Sequence, residues 1–410
     1  MRRITNGDYI LKIFVADMII SCCLSMLVMC KQARGFSVSA RPTALFYLTI
    51  SGNFRHAHSN TKINGNNRVD QPHRRFSTLR QSNGDDSETA YLQSLCGKNL
   101  VSIEECLEAQ KECDTSKNSN GIRVLFIDGS WFHKGDRNGR LEYEQGTRIA
   151  GAKYFDMDDI ATSFDLYPNL NPKNLPHMLP TKQLFAAAMD QLDIQNKDHI
   201  VVYGTEGSFF TPRIWFTFRA LGHDPKRVHL MQGSLKAWEV EGGKVDSTPK
   251  SAIKASELDL TRPPRYVACD AQNVCNMEAV MNAVKEHQSS EESCMQNDNN
   301  RPPMILDPRG SSYAKGHMPG ALHIPYSSLV DPKDCLRFKP QSELQRMFDE
   351  AGLKKNQPII CSCGSGVSVC SLFVSLLECG FAPGDISIYD GSWAEWKDEP
   401  QAQKVVSSSP

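Results

Sequence analysis

Three things are scarce in this 410-residue sequence, and their scarcity narrows its function. The first is net charge: 46 lysines and arginines against 47 aspartates and glutamates leave a formal −1. Nucleic-acid binding favours a strongly basic face, and this balance supplies none. The second is long apolar sequence. The longest run, Ile13–Cys30, has 18 residues and contains Asp17, which is short for a membrane span and suits the core of a signal peptide. The third is Cys or His pairs at zinc-ligand spacing near Cys361 and Cys363, so no metal site is expected there. What is present, 40% apolar and 23% charged residues, is a globular composition. The length suffices for two domains.

The first 119 residues read as address and connection. Residues 31–84 hold nine Lys or Arg and three His, with Asp70 as their only acid. That composition is typical of an organelle transit peptide. A targeting leader is therefore expected over 1–84, with a signal-like core at 13–30 followed by a transit-like stretch. It suits a plastid reached by the secretory route, or a mitochondrion, rather than the cytoplasm. With the leader removed, no membrane attachment is expected. Residues 85–119 are expected as a linker with one short helix around 92–108. Fourteen cysteines do not make a disulfide scaffold in so long a chain. Cys22, Cys23 and Cys30 fall in the leader, and the odd remainder of eleven is expected as reduced thiols.

The rest of the chain repeats itself. Ile200-Val-Val-Tyr-Gly-Thr-Glu-Gly-Ser208 and Pro358-Ile-Ile-Cys-Ser-Cys-Gly-Ser-Gly366 are both a short apolar run entering a Gly-rich turn, 158 positions apart. At the same offset Leu230–Trp238 matches Ile388–Trp396, pairing Gly233 with Gly391, Ser234 with Ser392 and Trp238 with Trp396. Val124–Asp128 corresponds to Met304–Asp307, and Arg148–Ala152 to His317–Ala321. Four segments in one order indicate a duplicated domain, over 120–245 and 266–400, with a linker at 246–265 and a tail at 401–410. In the second copy, strands at 304–307, 358–362 and 386–389 alternate with a helix at 366–379. The fold class expected is therefore α/β, each domain a mainly parallel sheet with helices on both faces.

Sheets of this kind place chemistry at the carboxyl ends of their strands, where Cys363 lies. It enters a turn of small residues, Gly364, Ser365, Gly366, Val367 and Ser368, followed by the helix. Glycines let the backbone curl until several N–H groups converge, and the helix start adds positive potential. Such a cradle is expected to stabilise a Cys363 thiolate and the terminal sulfur of a persulfide, with hydroxyl donors from Ser365 and Ser368. Cys361, Cys370 and Cys379 are expected as packing residues. A cysteine phosphatase would need Arg six positions after the cysteine, to clamp phosphate; the residue there is Val369.

At this point the chain resembles the tandem-domain rhodanese superfamily, and within it the 3-mercaptopyruvate sulfurtransferases. The residues that carry the resemblance are Cys363-Gly-Ser-Gly-Val-Ser368, Tyr313-Ala-Lys-Gly-His-Met-Pro-Gly-Ala321 and Tyr389-Asp-Gly-Ser-Trp-Ala-Glu-Trp396. In the first copy they are Phe155-Asp-Met-Asp158, Pro176-His-Met-Leu-Pro180 and Thr211-Pro-Arg-Ile-Trp215. The resemblance covers about residues 120–400. It implies two tandem rhodanese-like domains, the second catalytic, and covalent catalysis without a cofactor. Sulfur would pass from 3-mercaptopyruvate through a Cys363 persulfide to cyanide or to a thiol acceptor such as thioredoxin or a small thiol. It also implies that Asp158, His177 and Ser365 relay a proton to the departing pyruvate enolate.

Thiosulfate is the alternative donor, and a persulfide carrier loaded by a separate desulfurase is the non-enzymatic one. Thiosulfate-using relatives carry basic residues just after the cysteine. Gly364 and Ser365 carry none, and each missing charge is worth a few kcal/mol at an effective dielectric of ~20, which favours the singly charged mercaptopyruvate. Thr205 holds the Cys363 position in the first copy and is a poor nucleophile without a base. The chain departs from its relatives after Asp307-Pro-Arg309. Only seven residues precede His317, so the insertion carrying two substrate-binding arginines is missing. Arg309 and Lys315 are the only cations left there, and Arg309 is the remaining anion-binding candidate.

Overall fold

A computed structural model describes residues 90–115, 121–133, 135–291 and 301–406. The leader expected over 1–84 lies outside them. Two five-stranded sheets dominate. The first contains Leu100–Ser102 (β1), Val124–Asp128 (β2), Lys153–Tyr154 (β3), His199–Tyr203 (β4) and Val228–Gln232 (β5). The second contains Val274–Cys275 (β6), Met304–Asp307 (β7), Ala321–His323 (β8), Ile359–Cys361 (β9) and Ile386–Tyr389 (β10). Their spatial orders, β1-β5-β4-β2-β3 and β6-β10-β9-β7-β8, are the same order of equivalent strands. All pairings within both sheets are parallel. The central strands are apolar runs because helices cover both faces; all five residues of β4 are buried.

One difference from the sequence reading concerns the expected linker. Residues 90–115 belong to the fold: β1 pairs with β5, and Leu92, Leu95, Val101, Ile103 and Cys106 are buried. A three-residue strand is too short to show the alternation by which strands are recognised. The tail is likewise tied down, with Val405 bridging antiparallel to His317. In the second domain the helix begins at Val369 rather than Gly366. Gly366 has a φ of +74°, a left-handed conformation that ends a turn and cannot start an α-helix.

One apolar cluster joins the two halves. The helices Pro212–Ala220 and Val369–Glu378 meet through Phe373, whose ring lies 5.1 Å from Phe216 and 6.2 Å from Trp215. Both helices are buried nearly all round. This contact brings the 177–180 segment of the first domain against the end of β10.

Candidate active site

The site grows from the ends of β9 and β10. After Cys361 the chain leaves the sheet, with the Ser362 N–H donating to the Leu306 carbonyl at 2.9 Å. The Cys363 and Gly364 carbonyls then accept from Trp393 (3.0 Å) and Ala394 (2.9 Å) in the short helix Ser392–Trp396. The Gly366 carbonyl accepts from Arg213 Nη1 at 2.8 Å. In a trans peptide the carbonyl and the following N–H point in opposite directions. Fixing the carbonyls of 363, 364 and 366 therefore turns the N–H groups of Gly364, Ser365 and Val367 the other way. Among the described residues those three amides have no protein acceptor.

Two further amides converge on one side chain. The Cys363 and Gly366 N–H groups both donate to Ser392 Oγ at 3.1 Å, and that hydroxyl donates to the Tyr389 carbonyl at 2.7 Å. Ser392 Oγ also lies 4.0 Å from Cys363 Sγ. Ser392 is fully buried with a φ of +51°. Among the described residues, six other than glycine have positive φ, and four of them are Asn or Asp, which tolerate it. The other two are Ser392 and His177, both at this site, where backbone strain tends to collect. Ser392 was noted in the sequence only as a repeat position. The serine shared with Ser234 at a fixed offset was the available signal.

Cys363 itself is 1% exposed, while Gly364 and Ser365 are half-buried. The thiol thus lies beneath its own loop rather than on an open face. Burial drives the Cys361 thiol far above its ordinary value, and pushes Cys275 and Cys370 up to about 12. These stay protonated and pack.

Across the domain boundary stands a hydrogen-bonded pair. His177 Nδ1 lies 2.6 Å from Asp158 Oδ1, and Trp131 Nε1 donates to Asp158 Oδ2 at 2.7 Å. Trp131 also meets the His177 ring edge-on at 5.0 Å. Burial alone would raise the Asp158 carboxyl, but the bonds from His177 and Trp131 outweigh it and hold the group below its usual range. The structure thus brings Asp158 and His177 together. No hydrogen bond joins Ser365 to either of them among the described residues.

Arg309 is not free. Its Nε lies 3.0 and 2.9 Å from the two Asp307 oxygens, and Nη2 donates to Asp307 Oδ2 (2.7 Å) and the Gly316 carbonyl (2.8 Å). The guanidinium rests 4.9 Å over the Trp393 ring, and the stem runs beside Gly364. The bidentate pair with Asp307 takes two of its five N–H donors and the Gly316 carbonyl a third, so Arg309 helps to shape the loop wall while its charge is paired with Asp307. In the first domain the corresponding loop is bonded to side chains and backbone of neighbouring segments. Arg137 reaches Thr205 Oγ1 at 3.3 Å, and the Glu206 carboxylate accepts from Ser234 Oγ and the Lys236 N–H at 2.9 Å.

The candidate site thus combines a buried strand end, three amides without protein acceptors beside Cys363 and an Asp–His pair from a second copy of the fold. Comparison with known proteins specifies the family. The profile described as "Rhodanese-like domain" matches residues 117–241 and 290–399, and the chain belongs to that family. It is 31% identical over 301 residues to thiosulfate/3-mercaptopyruvate sulfurtransferase 1, mitochondrial, of Arabidopsis thaliana, covering 70% of this chain and 75% of that one. It is 29% identical to 3-mercaptopyruvate sulfurtransferase of Rattus norvegicus, covering 75% and 95%. Among solved structures, SseA from Escherichia coli, a 3-mercaptopyruvate sulfotransferase, superposes with a TM-score of 0.55 at 25% identity, over 72% of this chain and 99% of that one. The chain is a sulfurtransferase built of two tandem rhodanese domains.

Proposed function

We propose that the enzyme takes sulfur from 3-mercaptopyruvate onto Cys363 and passes it to a thiol acceptor or to cyanide. The Cys363 thiolate attacks the substrate sulfur, so that an S–S bond forms and the C–S bond breaks. The electron pair of that bond stays on carbon as the pyruvate enolate, which takes up a proton and leaves as pyruvate. The substrate thiol loses its proton, and a persulfide anion remains on Cys363. An acceptor thiolate then attacks the outer sulfur and restores the Cys363 thiolate. The observation that carries this reading is the set of three N–H groups, of Gly364, Ser365 and Val367, turned from their carbonyl-bound side with no protein acceptor. They suit a developing sulfur anion.

In this reading His177, oriented by Asp158, gives the proton to the enolate, and Ser365 belongs to the same relay. Gly366 and Ser368 complete the cradle. Mercaptopyruvate is preferred to thiosulfate because the loop from Gly364 to Ser368 carries no cation. Arg309, committed to Asp307, contributes to anion binding through the loop it supports. The acceptor is a small thiol or a thioredoxin-like protein. The setting is an organelle, mitochondrion or plastid, reached with the 1–84 leader.

The full chain incubated with mercaptopyruvate is expected to release pyruvate and gain one sulfur on Cys363 by mass. Thiosulfate should load it more slowly. Cys363→Ser should abolish both signals, and a Cys363→Ser protein with full turnover would refute the assignment. A carrier loaded only by another enzyme would gain sulfur from neither small donor.

A further inference from the structure

The guanidinium of Arg213 bonds both halves of the proposed site. Arg213 stands in the first turn of the helix Pro212–Ala220, and its side chain is 2% exposed. Nη2 donates to the His177 carbonyl at 2.7 Å, and Nη1 to the Gly366 carbonyl at 2.8 Å. Asp390 Oδ1 lies 2.7 Å from Nη1 and neutralises the charge, while Asp390 Oδ2 accepts from the Leu179 N–H at 2.8 Å. One buried ion pair therefore ties the loop that carries His177 to the loop that carries Cys363.

We propose that Arg213 is a positioning residue for sulfur transfer, acting on both loops through their backbone. The proposal rests on reading Cys363 as the sulfur carrier. Its physical content is peptide geometry. The Gly366 carbonyl is held outward by Arg213, so the Val367 N–H in the same trans peptide must face the opposite side. Gly366 is pinned at both ends, by Arg213 at its carbonyl and Ser392 at its N–H. It also has no room for a side chain, since a Cβ there would lie 2.6 Å from Asp390 Oδ1 and 2.7 Å from the Asp390 carbonyl oxygen. At His177 the backbone sits at φ +58°, a conformation that the surroundings must enforce. The bond from Arg213 to its carbonyl is one such restraint. Lysine cannot replace this arrangement: its ammonium is a single point, whereas the planar guanidinium reaches two carbonyls from separate nitrogens.

The test compares two buried arginines of the same domain. Arg148 is 1% exposed and bonds the Tyr143 carbonyl (3.0 Å) and Asp246 (3.0 Å), with no contact to either loop. Pyruvate release from mercaptopyruvate is measured on full-length wild type, Arg213→Lys and Arg148→Lys, together with thermal melting. Arg213→Lys should lose 10- to 100-fold in kcat with KM within threefold, and Arg148→Lys should keep kcat within twofold. A kcat loss in Arg213→Lys no larger than that of Arg148→Lys, or a change confined to KM, overturns the proposal. Should Arg213→Lys not fold, Asp390→Asn, which keeps an acceptor for Leu179 but weakens the hold on Arg213, gives the same reading. It should show an intermediate kcat loss, and wild-type kcat there also overturns it. Turnover persisting in Cys363→Ser would instead remove the sulfur-carrier reading itself.

Discussion

Ser392→Ala isolates the part of the cradle that one hydroxyl supports. That oxygen accepts two buried N–H groups, of Cys363 and Gly366, and donates to the Tyr389 carbonyl. Its removal leaves two donors and one acceptor without partners in a fully buried place. Each unsatisfied buried group costs about 1–3 kcal/mol. Local relaxation recovers part of this, so a destabilisation of roughly 2–4 kcal/mol is expected, a large share of the ~5–15 kcal/mol that holds a native protein. Urea unfolding measures it. The freed N–H groups should also turn toward other acceptors and loosen the loop, lowering kcat by roughly 10- to 100-fold, or ~1.4–2.7 kcal/mol in barrier. Ser392→Gly separates the two effects. It lacks the hydroxyl but relieves the φ of +51°, where a side chain costs about 1–2 kcal/mol. Glycine should therefore recover some stability over alanine while leaving kcat low. The reasoning fails if Ser392→Ala stays within 0.5 kcal/mol of wild type by the ~1 kcal/mol scale of such bonds, or if glycine restores turnover.

Three other outcomes follow from the same geometry. Gly366→Ala must place its Cβ against Asp390 at φ +74°, and should abolish persulfide formation, read by mass, even if folded protein is recovered. His177→Ala should slow pyruvate release by roughly 100-fold or more, the usual scale for a lost proton donor. Iodoacetamide should still label Cys363 in that variant, and loss of labelling would place His177 in the thiol's environment instead. Acid should weaken the first domain through the buried pair His199 and His229, stacked with nitrogens 3.0 Å apart. Burial holds His199 down at about 3 and His229 at about 4. A base with depressed folded pKa contributes stability that is complete above its unfolded value of ~6.5 and is lost as pH falls through the folded one, a few kcal/mol here. Asp128, raised by burial to about 6, works in the opposite direction. The histidine effect is therefore the difference in unfolding free energy between wild type and His229→Gln from pH 7 to 4, which should shrink on acidification.

The duplicated α/β architecture was legible because β4 matches β9, and β5 matches β10, as apolar runs entering Gly-containing turns at a fixed offset of 158. The edge strands β1 and β6 were not, being three and two residues long. They are strands only because a parallel neighbour supplies their hydrogen bonds. Cys363 was proposed from the sequence for a local reason: small residues directly follow a buried strand. Gly366 was expected to belong to the helix, and its left-handed φ could not be read from its identity.

Sequence alone determined the repeat, the proposed sulfur carrier Cys363 and the threonine, Thr205, at its position in the first copy. These depend on which atoms occupy consecutive positions. Tertiary structure alone decided how the site is assembled. It brought Arg213 to carbonyls 36 residues back and 153 residues ahead, paired Arg309 with Asp307, and set Ser392 beneath the Cys363 loop. Hydrogen bonds of this kind depend on where backbone carbonyls and amides point, and the amino-acid code writes side chains rather than the directions of peptide groups.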